Sequence, residues 1–420
     1  MQHEYTESAS PDCKKGLALF ILHDIGRFAG NKLYICRLAE SRSANPQKTI
    51  DNHIIMKKHH LLLSALLVLA GCAGQEAETE FTSYVDMSIG TGGHGHVFVG
   101  ANVPFGMVQL GPTSIPQTWD WCSGYHDSDS TVIGFSHTHL SGTGIGDLFD
   151  ITVMPVTGDV NFARGEEADQ NSGLWSYADR SKEIKTPGYY SVPLTRYGIT
   201  AELTATNRVG LHRYTFPASD EAAIVFDLEN GGCWDKATET FIEACSENGI
   251  RGYRYSSGWA NAQRIYFHAE FSEPFENFNV ITSANKDGEM LPLYARADFN
   301  TEEGGQIMLK VGLSPVSMEG AKENMEAELP GWEFEAVAEA AEKLWNEELS
   351  KIAVETKDEE ALKVFYTALY HSMIAPSTFC DTDGSYRGAD GKVYENPGHT
   401  TYTTFSLWDT YRAVMPLYSI

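Results

Sequence analysis

The hydrophobic pattern of this chain changes its period once, near Pro330, and that change constrains the fold more than any other feature. Over residues 81–330, short β-branched and aromatic runs alternate with clusters of Gly, Asn, Asp and Ser. Residues 222–228 (AAIVFDL), 264–271 (RIYFHAEF) and 306–313 (QIMLKVGL) predict strands, and residues 201–216 predict one or two more. Many short strands without intervening helices predict a β-sandwich. Beyond Pro330, residues 333–352 and 358–375 carry helix formers with apolar residues at helical spacing. Acidic residues open the second of these segments, where the helix dipole favours them, and Pro376 stops it. Residues 405–418 predict a further helix. The residues from Asp358 onward are too few to close a large helical core, so the chain is expected to enter a helical domain without completing it.

The front of the chain reads as processing signal. Met56 is followed by Lys57-Lys58-His59-His60, an apolar run to Ala70, and Leu69-Ala70-Gly71-Cys72. A positive start, a short apolar stretch and small residues before a cut site predict a secretory signal. The run is shorter than the roughly 20 apolar residues needed to span a bilayer. The Leu-Ala-Gly-Cys ending resembles the bacterial lipobox, which implies lipid attachment at Cys72 and a membrane anchor. Because such a signal should begin a protein, Met56 is the expected start and residues 1–55 an upstream over-call. Residues 56–71 are then the signal peptide and 72–80 a polar tether, giving an exported lipoprotein of the outer membrane, facing the periplasm or the cell surface.

A net charge of −26 argues against nucleic acid, whose phosphates require clustered Lys and Arg. The seven cysteines include no CxxC pair, which argues against a zinc ribbon. Cys233 and Cys245 are close enough in sequence either to pair in an oxidising compartment or to stand as separate thiols.

The chemistry-bearing residues concentrate between Ile89 and Asp147. Gly90-Thr91-Gly92-Gly93-His94-Gly95-His96 is followed by Phe98, then by Pro104-Phe105-Gly106 and Trp119-Asp120-Trp121-Cys122-Ser123-Gly124-Tyr125-His126. Gly134-Phe135-Ser136-His137-Thr138-His139-Leu140-Ser141-Gly142-Thr143-Gly144 closes the stretch. In a strand the two imidazoles of each HxH pair would share a face and could bind one ion. No Glu lies close by, however, and Gly-rich runs favour loops that approach a ligand closely. Histidine and tryptophan on such loops suit a sugar, whose hydroxyls take hydrogen bonds and whose ring stacks on indole. Buried histidines fixing tight turns are the alternative. The Gly-rich run lacks the Gly-Lys-Ser/Thr ending of a phosphate loop.

A second cluster runs from Cys380 to Gly388 and continues at Ser406-Leu407-Trp408-Asp409-Thr410-Tyr411-Arg412. Asp381, Asp383 and Gly384 match part of a calcium loop, but the later Glu is missing and a turn explains them equally well. Trp408 and Asp409 at a loop-to-helix junction suit a sugar, through indole stacking and carboxylate hydrogen bonds. Asp409 could instead cap or charge the first turn of a helix.

Together these motifs resemble glycoside hydrolase family 92, calcium-dependent exo-acting α-mannosidases, over residues 81–420. The resemblance rests on the runs at 89–96, 104–107, 122–126, 134–144 and 406–412. It implies a β-sandwich N-terminal domain over 81–330, a helical linker over 331–357, and the start of an all-α (α/α)6 toroid, truncated, over 358–420. It implies inverting removal of terminal α-mannose from N-glycan-type mannan, often α-1,2-linked, with calcium holding the sugar through its 2- and 3-hydroxyls. By resemblance His94, His96, Phe98, Trp121, Cys122, His137, His139, Trp408 and Asp409 contact substrate. The catalytic acid, the base and most calcium ligands are expected beyond residue 420, so no catalytic or metal role is assigned and the chain alone is expected to be inactive. Two other readings compete with this one: a non-catalytic carbohydrate-binding lipoprotein, and an HxH metal protein of cupin type.

Overall fold

The computed structural model describes residues 80–231, 234–395, 398–404, 410 and 412–420. The signal segment, the tether up to residue 79 with Cys72, and Cys233, Trp408 and Asp409 lie outside the described residues. Among the described residues, no helix is long and apolar enough to cross a membrane.

Among the described residues, eighteen strands form in chain order. They are β1 (Gly111–Thr113), β2 (Thr131–Val132), β3 (Gly134–Ser136), β4 (Thr152–Thr157), β5 (Ser176–Tyr177), β6 (Ile184–Thr186), β7 (Tyr189–Leu194), β8 (Ile199–Ala205) and β9 (Val209–Phe216). There follow β10 (Ser219–Asp227), β11 (Lys236–Ala244), β12 (Gly249–Ser257), β13 (Gln263–Phe271), β14 (Asn277–Ala284), β15 (Met290–Thr301), β16 (Gly305–Ser314), β17 (Tyr386–Arg387) and β18 (Val393–Tyr394). One sheet has the order β1-β3-β4-β10-β15-β14, and a larger one the order β11-β12-β13-β16-β9-β8-β7-β6. All their pairings are antiparallel.

The two sheets close face to face. Phe226 of β10 stacks on Phe267 of β13 with ring centroids 5.8 Å apart, and Phe271 of β13 meets Phe299 of β15 at 5.1 Å. Such aromatic pairs stabilise by roughly 0.5–1.5 kcal/mol beyond the area they bury. The predicted sandwich is therefore present. The apolar run of β10 has neighbours on both sides and is buried from Ala222 to Asp227, whereas the edge strand β14 alternates exposed and half-buried residues. The predicted strands at 222–228, 264–271 and 306–313 correspond to β10, β13 and β16, and 201–216 resolves into β8 and β9.

The expectation that residues 81–330 are all-β needs one correction. Met318–Glu328 forms helix α1, begun by Ser317, whose side chain accepts a hydrogen bond from the Gly320 N–H. It lies on the larger sheet at Gly312 of β16, where a Cβ would come within 2.5 Å of the Ala321 carbonyl oxygen. Val209, Leu211, Met325, Leu329 and Phe334 form the apolar cluster beneath it.

Helices α2 (Phe334–Leu349) and α3 (Glu359–His371) follow, close to their predicted spans. Asp358 caps α3 by accepting from the Ala361 N–H. Both helices pack back on the loops that precede β1: Trp345 is fully buried and donates to the Asn102 carbonyl at 2.7 Å, and Tyr370 packs on Trp345 at 4.4 Å. From the predicted helix over 405–418, the described residues contain α4 (Val414–Leu417).

Candidate functional site

Three of the sequence motifs meet in the loops around β1 and β3. The Gly-rich run before β1 folds back on itself, and a Cβ on Gly95 would lie 1.9 Å from the Gly90 carbonyl oxygen, a position only glycine can occupy. His94 and His96 do not sit in a strand as the ion-binding argument supposed; His96 has φ 52°, in the left-handed region. Both rings nevertheless converge on Asp120. His94 Nδ1 stands 2.6 Å from Asp120 Oδ1, and His96 Nε2 stands 3.3 Å from the same oxygen. The hydrogen bond from His94 holds the Asp120 carboxyl below its usual range.

Asp120 is placed by a 3-10 turn over Trp119–Trp121. The Trp119 indole N–H donates to the Gly144 carbonyl at 2.9 Å, which ties this turn to the third motif. The ring meets His96 edge-on at 4.2 Å and keeps an exposed face. Trp121 donates to Asp129 Oδ2 at 2.6 Å and stacks on His126 at 4.3 Å. The His96 carbonyl accepts from Ser123 Oγ at 2.5 Å and from the Gly142 N–H at 2.7 Å. The result is a polar, aromatic surface held from beneath by backbone groups, suited to hydroxyl recognition and ring stacking.

The other candidates point inward. Phe98 and Cys122 are buried, and the Cys122 thiol donates to the Thr143 carbonyl at 3.4 Å. His137 is fully buried, with Nδ1 2.6 Å from the Ile151 carbonyl and Nε2 3.0 Å from His212 Nε2. Tyr214 O–H stands 2.6 Å from His212 Nδ1, so one set of tautomers satisfies the chain from Tyr214 to Ile151. His139 lies between the rings of Phe98 and Phe149, with Nδ1 2.8 Å from the Gln109 carbonyl. Burial pushes both His137 and His139 down to about 4, so both are neutral near pH 7.

The carboxylates of the later motif are engaged internally. Asp381 accepts from Ser314 Oγ and Asn324 Nδ2, each at 2.8 Å, and burial pushes it up to about 6. Asp383 accepts from the Ser385 N–H and hydroxyl, and the Gly384 N–H closes a turn on the Asp381 carbonyl. This is the turn alternative.

Sequence reasoning weighed the HxH pair for lack of a nearby Glu and passed over Asp120, although it stood between two tryptophans in a motif already singled out. Among the described residues, His94, His96 and Asp120 bring their ligand atoms within 4.8 Å of one another. Two nitrogens and one carboxylate do not fit calcium, which takes six to eight oxygens. It also missed the ion cluster in which fully buried Arg254 meets Asp150 at 2.6 Å and Asp235 at 2.9 Å. These three are scattered over β12 and two loops, with no spacing to link them.

Comparison with known proteins locates this arrangement. The chain is 36% identical to the family GH92 α-mannosidase BT3965 from Bacteroides thetaiotaomicron, solved in complex with mannoimidazole, with TM-score 0.76 over 81% of this chain and 46% of that one. The GH92 inverting mannosidase BT2199 from Bacteroides thetaiotaomicron VPI-5482 is 25% identical, with TM-score 0.69 over 82% of this chain and 46% of that one. An "Uncharacterized secreted glycosidase" from Arthroderma benhamiae (strain ATCC MYA-4681 / CBS 112371) is 27% identical over 355 residues, 76% of this chain and 44% of that protein. The chain thus spans less than half the length of each of these relatives. The profile of the glycosyl hydrolase family 92 N-terminal domain matches residues 84–314, and that of the family 92 catalytic domain matches residues 320–420. The chain belongs to glycosyl hydrolase family 92.

Proposed function

We propose that this chain is the substrate-facing front part of an exported α-mannosidase that removes terminal α-linked mannose from glycans with inversion. The observation that carries the reading is the convergence of the family's loops, with Trp119, Trp121, His94 and Asp120 gathered at one surface, in a chain 36% identical to an α-mannosidase solved with mannoimidazole.

In the inverting reaction a carboxylic acid protonates the leaving oxygen while a carboxylate base activates water on the opposite face of the ring. No acid or base is assigned to a described residue. What this chain contributes is recognition. Exposed Trp119 and half-buried Trp121 offer ring faces to the apolar side of mannose, and the polar edges of His94, His96 and Asp120 offer hydroxyl partners. Phe98, Cys122, His137 and His139, all buried, hold these loops in place. Trp408 and Asp409, outside the described residues, are proposed as sugar contacts on the strength of their motif alone. Residues 331–357, which contain α2, are proposed as the helical linker, and α3 as the first helix of the (α/α)6 toroid over 358–420. Calcium is proposed for the whole protein without ligands among the described residues, and no step is derived through it. Lipid attachment at Cys72 rests on the signal pattern alone, and export on that pattern and on likeness to a secreted glycosidase.

Isotherms of the purified chain with an α-linked mannobiose and with the glucose disaccharide of the same linkage, beside an assay for released mannose, test the reading. Saturable binding of the mannoside alone supports it. Equal binding of both sugars, or of neither, contradicts it. Binding without release leaves the chain a carbohydrate-binding piece of the enzyme, as the sequence leads one to expect.

A further inference from the structure

We propose that His94, His96 and Asp120 form a binding site for a borderline divalent transition ion of the zinc class. Three ligand atoms of the right kind face one another: His94 Nδ1, His96 Nε2 and Asp120 Oδ1. Imidazole nitrogen and carboxylate oxygen suit zinc, copper and nickel, in contrast to the all-oxygen cage of calcium. Two histidines and one carboxylate also leave coordination positions open to water or to a ligand, as three-ligand zinc sites do.

The distances favour an ion with little rearrangement. Donors around a tetrahedral zinc at about 2.0–2.1 Å stand roughly 3.3 Å apart. His96 Nε2 and Asp120 Oδ1 already stand 3.3 Å apart. His94 Nδ1 and Asp120 Oδ1, at 2.6 Å, stand at the distance of a shared proton, and the ion would replace that proton while the pair opens by under 1 Å. The His94 side chain is 77% exposed, so this opening disturbs no packed neighbour.

The surroundings fix the other two ligands. The buried His96 has its carbonyl held by Ser123 and Gly142, and its ring held edge-on by Trp119. Asp120 sits in the turn whose indole is tied to Gly144. Supports of this kind set the orientation of metal ligands. Two histidines spaced by one glycine thus act with a carboxylate 24 residues further on, a combination that HxH spacing alone could not reveal.

The test is titration calorimetry of the EDTA-stripped chain with Zn2+, with Ca2+ in parallel. The expected result is one equivalent of Zn2+ bound without competition from Ca2+. His94→Ala and Asp120→Asn should each weaken it at least tenfold, and Cys245→Ser, which removes an exposed thiol, should leave it unchanged. Because His94 is exposed, its variant keeps the fold, which circular dichroism verifies. Absence of Zn2+ binding, equal binding by the His94→Ala variant, or loss of binding in Cys245→Ser would overturn the proposal. The three ligands also belong to the proposed sugar surface, so the mannobiose isotherms are run without Zn2+ and test that reading separately from the ion.

Discussion

Tyr214, His212 and His137 form a file of hydrogen bonds through the interior that ends on the Ile151 carbonyl, and neutral rings are what make it possible. The cost of this arrangement falls on acid stability. His137 and His139 titrate near 4 in the folded chain, below the ordinary histidine value of about 6.5. As pH falls below about 6.5 the unfolded chain takes up protons that the folded chain refuses, so stability present above that pH is lost between 6.5 and 4. Urea midpoints should therefore fall steadily across that window, and His139→Gln should flatten the fall; an unchanged slope in the variant would show that the ring titrates normally. The Arg254 cluster makes a second prediction at this scale. Arg254→Met leaves Asp150 and Asp235 buried without their cation and should cost about 3–5 kcal/mol in urea unfolding. The sequence offered burial of these histidines only as an alternative and held no sign of the Arg254 cluster. A buried histidine and a ligand-contacting histidine have the same letter and here the same motif, and only the packing of Phe98 and Phe149 around His139 tells them apart.

At the scale of elements, the strands and the two long helices were legible because each carries its own signal. Burial on both faces made β10 an unbroken apolar run, and Asp358 with two acidic residues in the first turn marked the start of α3. Helix α1 was not legible. Its sequence, MEGAKENMEAE, has little apolar content, and its stability comes from lying on β16 rather than from propensity. Two substitutions probe it. Ser317→Ala removes the cap and should cost about 1 kcal/mol. Gly312→Ala drives a Cβ against the Ala321 carbonyl and should cost about 1–3 kcal/mol. Thermal unfolding measures both. Asp381 was read with Asp383 as a possible calcium-loop fragment because the spacing of carboxylates was all the sequence offered. Its true partners, Ser314 and Asn324, lie 67 and 57 residues away.

At the scale of the whole molecule, the sandwich brings the family's Gly-rich loops together, and α2 and α3 pack against the loops before β1. Gly90 illustrates the join: a Cβ there would lie 3.9 Å from the His371 ring at the end of α3. The order of motifs along the chain was enough to name the family, while their convergence on Asp120 needed three dimensions. The central claim is that this loop surface recognises α-mannose. Calorimetric titration of α-linked mannobiose into the purified chain and its Trp121→Ala variant tests it most directly. The account predicts saturable binding that weakens about tenfold in the variant, as loss of a stacking ring would give. Absence of binding, or an isotherm indifferent to Trp121, would contradict it.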